Sequence, residues 1–390
     1  MPTADIAILG AGAAGLMCAR AAAARGLSVI LLDQAAAPGG KIPISGGGRA
    51  NVTNLHMGPA FYFGNQPEFC AYALDRLAPQ DVIRMVQAYG ISWEERTHGQ
   101  IFCREPARKL AGCLAEDCAR LGCMLLPRRT VRRVVPESGG FRIETGGGTV
   151  RARQCVLALG SPAWPQAGGT DAGWRLARAL GHAVIPARPV LTPLLMPPDW
   201  PLRSLAGISL PVRITSGGQS FEDDLLFTHH GISGPASLKA SALWRPGGTV
   251  EIDFLPGTAR GALLDAPGSG RLLARTLLSR VMPQRLADAL LPEDCARRRT
   301  AELSRAMRDR LERAVHACVL RPCGAGGLKK AEACAGGVDT RELNPWSMES
   351  LLVPGLYVIG EMVDITGQLG GYNLHWAWAS GLVAGESIPR

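Results

Sequence analysis

Lysine is scarce in this chain of 390 residues: there are five, so 37 of the 42 basic side chains are arginine. A net charge of +9 would suit an anionic partner such as nucleic acid, a membrane surface or phosphate. The almost exclusive use of arginine, beside 48 glycines, tempers that reading, because GC-rich coding produces the same bias. Cysteine pairs at metal-ligand spacing are also missing. The 11 cysteines are odd in number and none forms Cys-x-x-Cys; the nearest groupings are Cys113, Cys118 and Cys123, and Cys318 with Cys323. Zinc sites pair ligands roughly two to four residues apart, so no metal site is expected and the thiols read as reduced and mostly buried. No stretch reaches ~18 apolar residues without a charge, which excludes a membrane-spanning helix. The uncharged run from Ile6 to Ala19 lacks a basic leader and is broken by Gly10, Gly12 and Gly15, unlike a signal peptide. A soluble, cytoplasmic protein is expected. Missing too are a Ser/His/Asp order, paired carboxylates and any internal repeat. What is present, 47% hydrophobic and 19% charged residues, argues for folded domains rather than disorder, and the length for two or three of them.

The N-terminus carries the first positive signal. Asp5-Ile-Ala-Ile-Leu9 reads as a short buried strand, followed by Gly10-Ala-Gly12-Ala-Ala-Gly15 and an Ala-rich helix that Gly26 stops. A second strand, Ser28 to Leu32, ends in Asp33. In such a unit Gly10 permits the tight turn, Gly12 lets the backbone approach a pyrophosphate, and Gly15 lets the helix pack on the strands. The helix start offers free N–H groups and a positive dipole end to phosphate. Asp33 is placed to accept hydrogen bonds from an adenosine ribose and disfavours a 2′-phosphate, which argues for FAD or NAD over NADP. A lone glycine motif is weak; strand, glycines, helix, strand and acid in register are specific.

Two further segments favour FAD. Pro38 to Asn54 is rich in glycine and holds Lys41, Gly48, Arg49 and Asn51, the composition of a loop lying along a cofactor. Near the other end, Gly355 to Glu361 reads as a buried strand ending in Gly360-Glu361, followed by Gly367-Gln-Leu-Gly370-Gly371-Tyr372-Asn373 and a helix. Both ends of the chain then contact one long ligand, and a helix start near the flavin ring stabilises negative charge there. A second strand–glycine–helix unit for NAD(P)H is absent.

These segments make the chain resemble the three-domain bacterial flavoproteins (BaiN/YhiN-like NAD(P)/FAD-dependent oxidoreductases) that include an aminoacetone oxidase and a bile-acid enone reductase. The match rests on Ala7–Leu16, Ser45–Asn54, Leu226-Phe-Thr-His-His-Gly-Ile-Ser-Gly-Pro235 and Gly370–Gly381, with softer support at Ala158-Leu159-Gly160-Ser161, Gly168–Gly173 and Thr340–Ser350. Ala50 departs from the pattern, since many relatives carry cysteine there. The resemblance implies an α/β fold: a Rossmann-type FAD-binding domain with an inserted β-rich domain that itself carries a small helical subdomain. The expected boundaries are 1–187 and 336–390 for the FAD domain, 188–258 and 318–335 for the β-rich domain, and 259–317 for the helical part. Helical patterns at 68–89, 106–121, 171–180 and 271–317 and strand patterns at 123–135, 141–145 and 149–158 fit this plan. Proline-punctuated β-like runs such as 210–215 and 250–254 mark the insert.

Non-covalent FAD is therefore expected, with NAD(P)H as a transient reductant. Its expected contacts are Gly10, Gly12, Ala13, Ala14, Gly15, Asp33, Gln34, Lys41, Gly48, Arg49, Asn51, Val134, Ala158, Leu159, Gly160, Gly360, Glu361, Gly370, Gly371, Tyr372, Asn373 and Leu374. His229, Tyr372 and Asn373 are the catalytic candidates; a histidine there would hold a carbonyl or move a proton. The expected activity is FAD-dependent hydride transfer between a small organic substrate and flavin N5, with reoxidation by O2 or another acceptor. NAD(P)H-dependent reduction of an activated C=C bond is the alternative, and a non-catalytic flavin-binding redox sensor or nucleic-acid-associated protein is the reading from another class. A small-molecule partner is expected, nucleic acid and membrane are not. Residues 271–313, with 11 arginines against six acids, read as one solvated face.

Overall fold

The computed structural model describes residues 2–390, which divide into two compact units: Val190–Ala331, and the remainder on either side of it. In the first unit, strand Thr3–Leu9 lies inside a seven-stranded sheet, parallel to Val29–Leu32 on one side and Gly148–Leu157 on the other. Met124–Leu126 extends the sheet beyond Val29–Leu32. Ile6, Ile8, Leu9 and Leu31 are fully buried. Their unbroken apolar runs are what strands covered on both faces require.

Strand Gly148–Leu157 joins the two ends of the chain. Its first half pairs antiparallel with Gly140–Thr145, and Cys155–Leu157 pair parallel with Leu356–Val358. The C-terminal strand thus enters the same sheet, and helix Tyr372–Ser387 follows it. That helix lies against the first helix, Ala13–Ala24, at very short range. A Cβ at Gly381 would stand 2.4 Å from the Ala14 carbonyl oxygen, and one at Gly385 2.6 Å from that of Cys18. The alanine-rich first helix supplies the matching shallow face.

Three sequence expectations change in detail. The helical region 68–89 is two helices, Ala71–Arg76 and Pro79–Ala88, because Pro79 cannot continue a helix but suits its first turn. The strand region 123–135 is broken between Leu126 and Val131, where Arg128 takes a left-handed φ of 55°. The glycine-rich run is irregular only as far as Ala50: Asn51–Asn54 is a packed strand, paired with Gln100–Cys103, which pairs with Trp93–Arg96.

The second unit is built on a largely antiparallel sheet that includes Ser209–Ser216, Gln219–Thr228 and Val250–Asp253. Helix Gly234–Leu243 packs on it. Its core holds Val212, Ile214, Leu225 and Ile252, with Phe227 stacked between Trp200 and Phe254 at 6.2 Å on each side. Helices Ala274–Ser279, Gln284–Leu290 and Arg305–His316 belong to the same unit. Among the described residues no helix is long and apolar enough to cross a membrane.

Candidate functional site

Gly10 ends the first strand with a φ of +110°, and a Cβ there would lie 2.3 Å from the Ala158 carbonyl oxygen. Only glycine satisfies both demands. At Gly15 a Cβ would fall 1.9 Å from the Gly10 carbonyl oxygen, so the helix sits directly on the loop. Gly12 is different: nothing lies within 4 Å of its absent Cβ, so it borders open space. Helix Ala13–Ala24 begins there with no side-chain cap and no acid in its first turn, which leaves its first N–H groups without an intrahelical partner. Helix Tyr372–Ser387 begins likewise after Gly371, at φ +96°.

The two helix starts line one cavity of the first unit, about 1100 Å³ of empty space including its open mouth. Asp33 stands in its wall. One carboxylate oxygen accepts the Ala11 N–H at 2.6 Å and the other the Ala35 N–H at 2.7 Å, so the acid fixes the glycine loop. Deeper in the lining, Lys41 Nζ lies 2.6 Å from Glu361 Oε2 and 3.2 Å from Ser161 Oγ, while Ser161 donates to Glu361 at 3.1 Å. Lys41 is therefore neutralised by the strand-end acid. Glu332 also lines the cavity, with no hydrogen-bond or ion-pair partner among the described residues, and desolvation raises its pKa.

Of the residues expected at the cofactor, Gly10, Gly12, Ala13, Ala14, Asp33, Gln34, Lys41, Ala158, Leu159, Gly160, Gly360, Glu361, Asn373 and Leu374 line this cavity. Gly15, Gly48, Arg49, Asn51, Val134, Gly370, Gly371 and Tyr372 do not. Val134 is a buried residue of strand Val131–Glu137, facing Ile143 in the ladder. Arg49 is exposed, and the Asn51 side chain is engaged with Gln100 at 2.9 Å. The Tyr372 ring is buried and stacks on Phe61 with centroids 4.9 Å apart. The Asn373 amide clamps Gly367, donating to its carbonyl and accepting from its N–H, both at 2.8 Å. Its side chain holds the turn, and residue 373 reaches the cavity at the helix start. His229 lies in the second unit, exposed in the two-residue turn between Gln219–Thr228 and Gly231–Ser233.

Sequence reasoning missed Ser161 and Glu332. Ser161 directly follows Gly160 in a segment that carries the family resemblance; no local signal marks Glu332. It also missed a serine–histidine–glutamate chain. His182 Nδ1 is 2.9 Å from Glu342 and Nε2 is 2.8 Å from Ser350 Oγ. This is a structural latch: Ser350 is buried, and its hydroxyl already accepts the N–H groups of Leu352 and Val353 at 3.1 and 2.8 Å. Eight of the 11 cysteines are buried, and desolvation pushes Cys70, Cys103 and Cys334 up to about 12. Thiols held protonated are poor nucleophiles. Among the described residues no cluster could hold a metal ion.

His375, in the first turn of the last helix, is fully buried. Its Nε2 donates to the Leu77 carbonyl at 2.9 Å, so Nδ1 accepts from Thr53 Oγ1 at 2.7 Å and the ring is neutral. Burial lowers its pKa to about 4. Since the unfolded histidine titrates near ~6.5, the folded state binds fewer protons between these values, and stability falls with pH from ~6.5 down to about 4. Urea unfolding should show a loss of up to about 3 kcal/mol across that window, removed in His375→Gln. Equal slopes for the two proteins would refute a neutral buried ring.

A family model described as HI0933-like protein Rossmann domain matches residues 4–387. The chain belongs to this family. HI0933-like members are FAD-dependent oxidoreductases, and so is this protein. The chain is similar to the ribosomal RNA dihydrouridine synthases of Escherichia coli, strain K12 (37% identity), and Haemophilus influenzae (38%), in each case over 98% of both chains. It is 30% identical to the 3-dehydro-bile acid delta(4,6)-reductase of Clostridium scindens over 99% of both. Among solved structures, 3-ketosteroid delta1-dehydrogenase from Sterolibacterium denitrificans matches with a TM-score of 0.51 at 13% identity, over 100% of this chain and 99% of that one. A quinol–fumarate reductase matches at 0.51 and 16%, over 99% and 71%. At these identities the structures speak to the fold alone. The cavity fits the cofactor of this family: two uncapped helix starts for anionic groups, a carboxylate at the strand end, and glycines where a Cβ would fill the space.

Proposed function

We propose that the protein reduces a carbon–carbon double bond conjugated to a carbonyl, using FAD, and that the substrate is a uridine of ribosomal RNA. The observation that supports this reading most is the end-to-end similarity to two proteins named ribosomal RNA dihydrouridine synthase. The bile-acid relative carries a different substrate in its name but a related reaction, saturation of a C=C bond in an oxo compound. In uridine the C5=C6 bond is conjugated to the C4 carbonyl, so the β-carbon C6 takes hydride and C5 takes a proton. Bound FAD, once reduced, would supply the hydride. Two electrons must enter per turnover, which favours NAD(P)H as reductant over O2 as acceptor.

The chain's own residues bind and orient. The Ala13 and Ala14 amides and the helix dipole would hold the pyrophosphate, and Asp33 the adenosine ribose. The Lys41–Glu361–Ser161 cluster offers hydroxyl partners to the middle of the cofactor. Glu332, whose pKa is raised by desolvation, adds a carboxyl group to the cavity lining.

Incubating the holoprotein with NAD(P)H and ribosomal RNA from cells lacking the gene should produce dihydrouridine at one position, detected by mass spectrometry of nuclease digests. Flavin that NAD(P)H reduces and ribosomal RNA then reoxidises would agree. RNA left unmodified, with an oxo-steroid or amine turned over instead, would refute the RNA substrate.

A further inference from the structure

Three arginines on helices of the second unit are answered by a carboxylate. Arg275 makes two hydrogen bonds to Asp288 at 2.5 and 2.7 Å, Arg308 lies 3.0 Å from Asp265, and Arg310 pairs with Asp294. Other arginines, Arg280 and Arg313 among them, have no carboxylate partner in the described residues, and one such group sits on a short ladder. Segments 272–274 and 298–300 run antiparallel: Ala274 N–H donates to the Arg298 carbonyl at 3.0 Å, Thr300 N–H to the Leu272 carbonyl at 2.9 Å, and Leu273 bridges to Arg299. Ala274 and Thr300 are fully buried, which turns their neighbours outward. Leu273 is 42% exposed, and Arg271, Arg297 and Arg299 are exposed around it. Arg305 joins them, because the first turn of its helix is tied to this ladder by Arg308, which donates to the Thr300 carbonyl at 3.4 Å. Among the described residues none of these four guanidinium groups has a carboxylate partner.

This arrangement does not help the fold. Like charges repel along 297–299, and the helix Arg305–His316 has no acid in its first turn, where a cation opposes the helix dipole. Four exposed guanidinium groups without carboxylate partners, beside an accessible leucine, form a surface for a regularly spaced polyanion. Guanidinium binds phosphate bidentately, and the leucine offers a face to an unstacked base. We infer that Arg271, Arg297, Arg299 and Arg305 form the RNA-backbone docking surface of this protein. The inference rests on the RNA reading above and adds where the RNA is held.

The test uses the full-length holoprotein with all four arginines changed to glutamine, and anisotropy titration of a labelled poly(U) oligonucleotide across a salt series. Each lost phosphate contact should remove ~0.7 from the slope of log affinity against log salt, about three in all, with at least a tenfold weaker Kd at moderate salt. Bleaching of the flavin by NAD(P)H should be unchanged. The four-lysine variant should regain the slope, which separates charge from misfolding, and Arg275→Gln, whose arginine is already paired, should keep the wild-type slope. Unchanged Kd and slope in the glutamine variant would overturn the docking surface. So would equal loss of binding to phosphatidylglycerol vesicles, which would make the patch a general anionic-surface site. Dihydrouridine formation by the wild type with an unaffected glutamine variant leaves the RNA reading standing and this inference refuted. Patch-dependent RNA binding with no dihydrouridine formed does the reverse.

Discussion

Gly10→Ala is expected to purify without flavin and to be destabilised by about 3 kcal/mol. Two costs combine. The residue sits at φ +110°, which a side chain adopts only with strain, and its Cβ would press on the Ala158 carbonyl oxygen at 2.3 Å, which is backbone and has little freedom to retreat. Ala158 belongs to the segment that leaves strand Gly148–Leu157 and lines the cavity, so any relief moves the cofactor wall itself. Gly12→Ala is the informative partner. Its Cβ meets nothing within 4 Å, so the fold should keep its denaturant midpoint while flavin content falls, because the methyl group enters the space the pyrophosphate needs. Flavin absorbance per polypeptide and guanidinium unfolding measure both. A yellow Gly10→Ala protein of wild-type stability would show that the loop geometry is not as described.

Asp33→Ala should weaken FAD binding by roughly 2–4 kcal/mol, on the order of 100-fold. The carboxylate accepts the Ala11 and Ala35 amides at 2.6 and 2.7 Å, so its removal frees the glycine loop as well as deleting a ribose acceptor. Asp33→Asn keeps one acceptor oxygen and should fall between. Fluorescence titration of apoprotein with FAD gives the constants, and an unchanged Kd in the alanine variant would remove Asp33 from the site. The unfolding midpoint of the apoprotein should also drop, since the buried Ala11 amide loses its acceptor.

The two expectations differ in how far the sequence foretold them. Gly10, Gly12, Gly15 and Asp33 were legible because their chemistry is local: a strand, a turn that excludes side chains, a helix start and an acid lie within a short stretch. Gly360, Glu361 and Leu374 were legible through a second local motif. Where an expected residue lies outside the cavity, the contacts that hold it are distant. Val134 faces Ile143 across a strand pair, and Tyr372 is taken up by Phe61. The Arg49–Asn51 end of the glycine-rich run left the cavity because Asn51–Asn54 found a pairing partner in Gln100–Cys103. No composition or period in residues 38–54 announces that pairing.

The arginine excess shows the same division. Counting charges along 271–313 located it, and read alone it was a solvated face. The ladder between 272–274 and 298–300 brings Arg271 and Leu273 beside Arg297 and Arg299, which no spacing in the sequence shows.

By itself, then, the sequence determined the Rossmann core, the dinucleotide loop, the acid at the end of the second strand and the return of the chain at the C-terminus. Each is set by backbone conformation and burial over a few residues. Only the tertiary structure decided that Lys41 is neutralised by Glu361, that Ser161 and Glu332 share the cavity, and that the histidine–serine–glutamate chain is a buried latch. Those outcomes depend on which side chains distant strands bring within hydrogen-bonding range, and on which are shut away from water, and neither is encoded in local spacing.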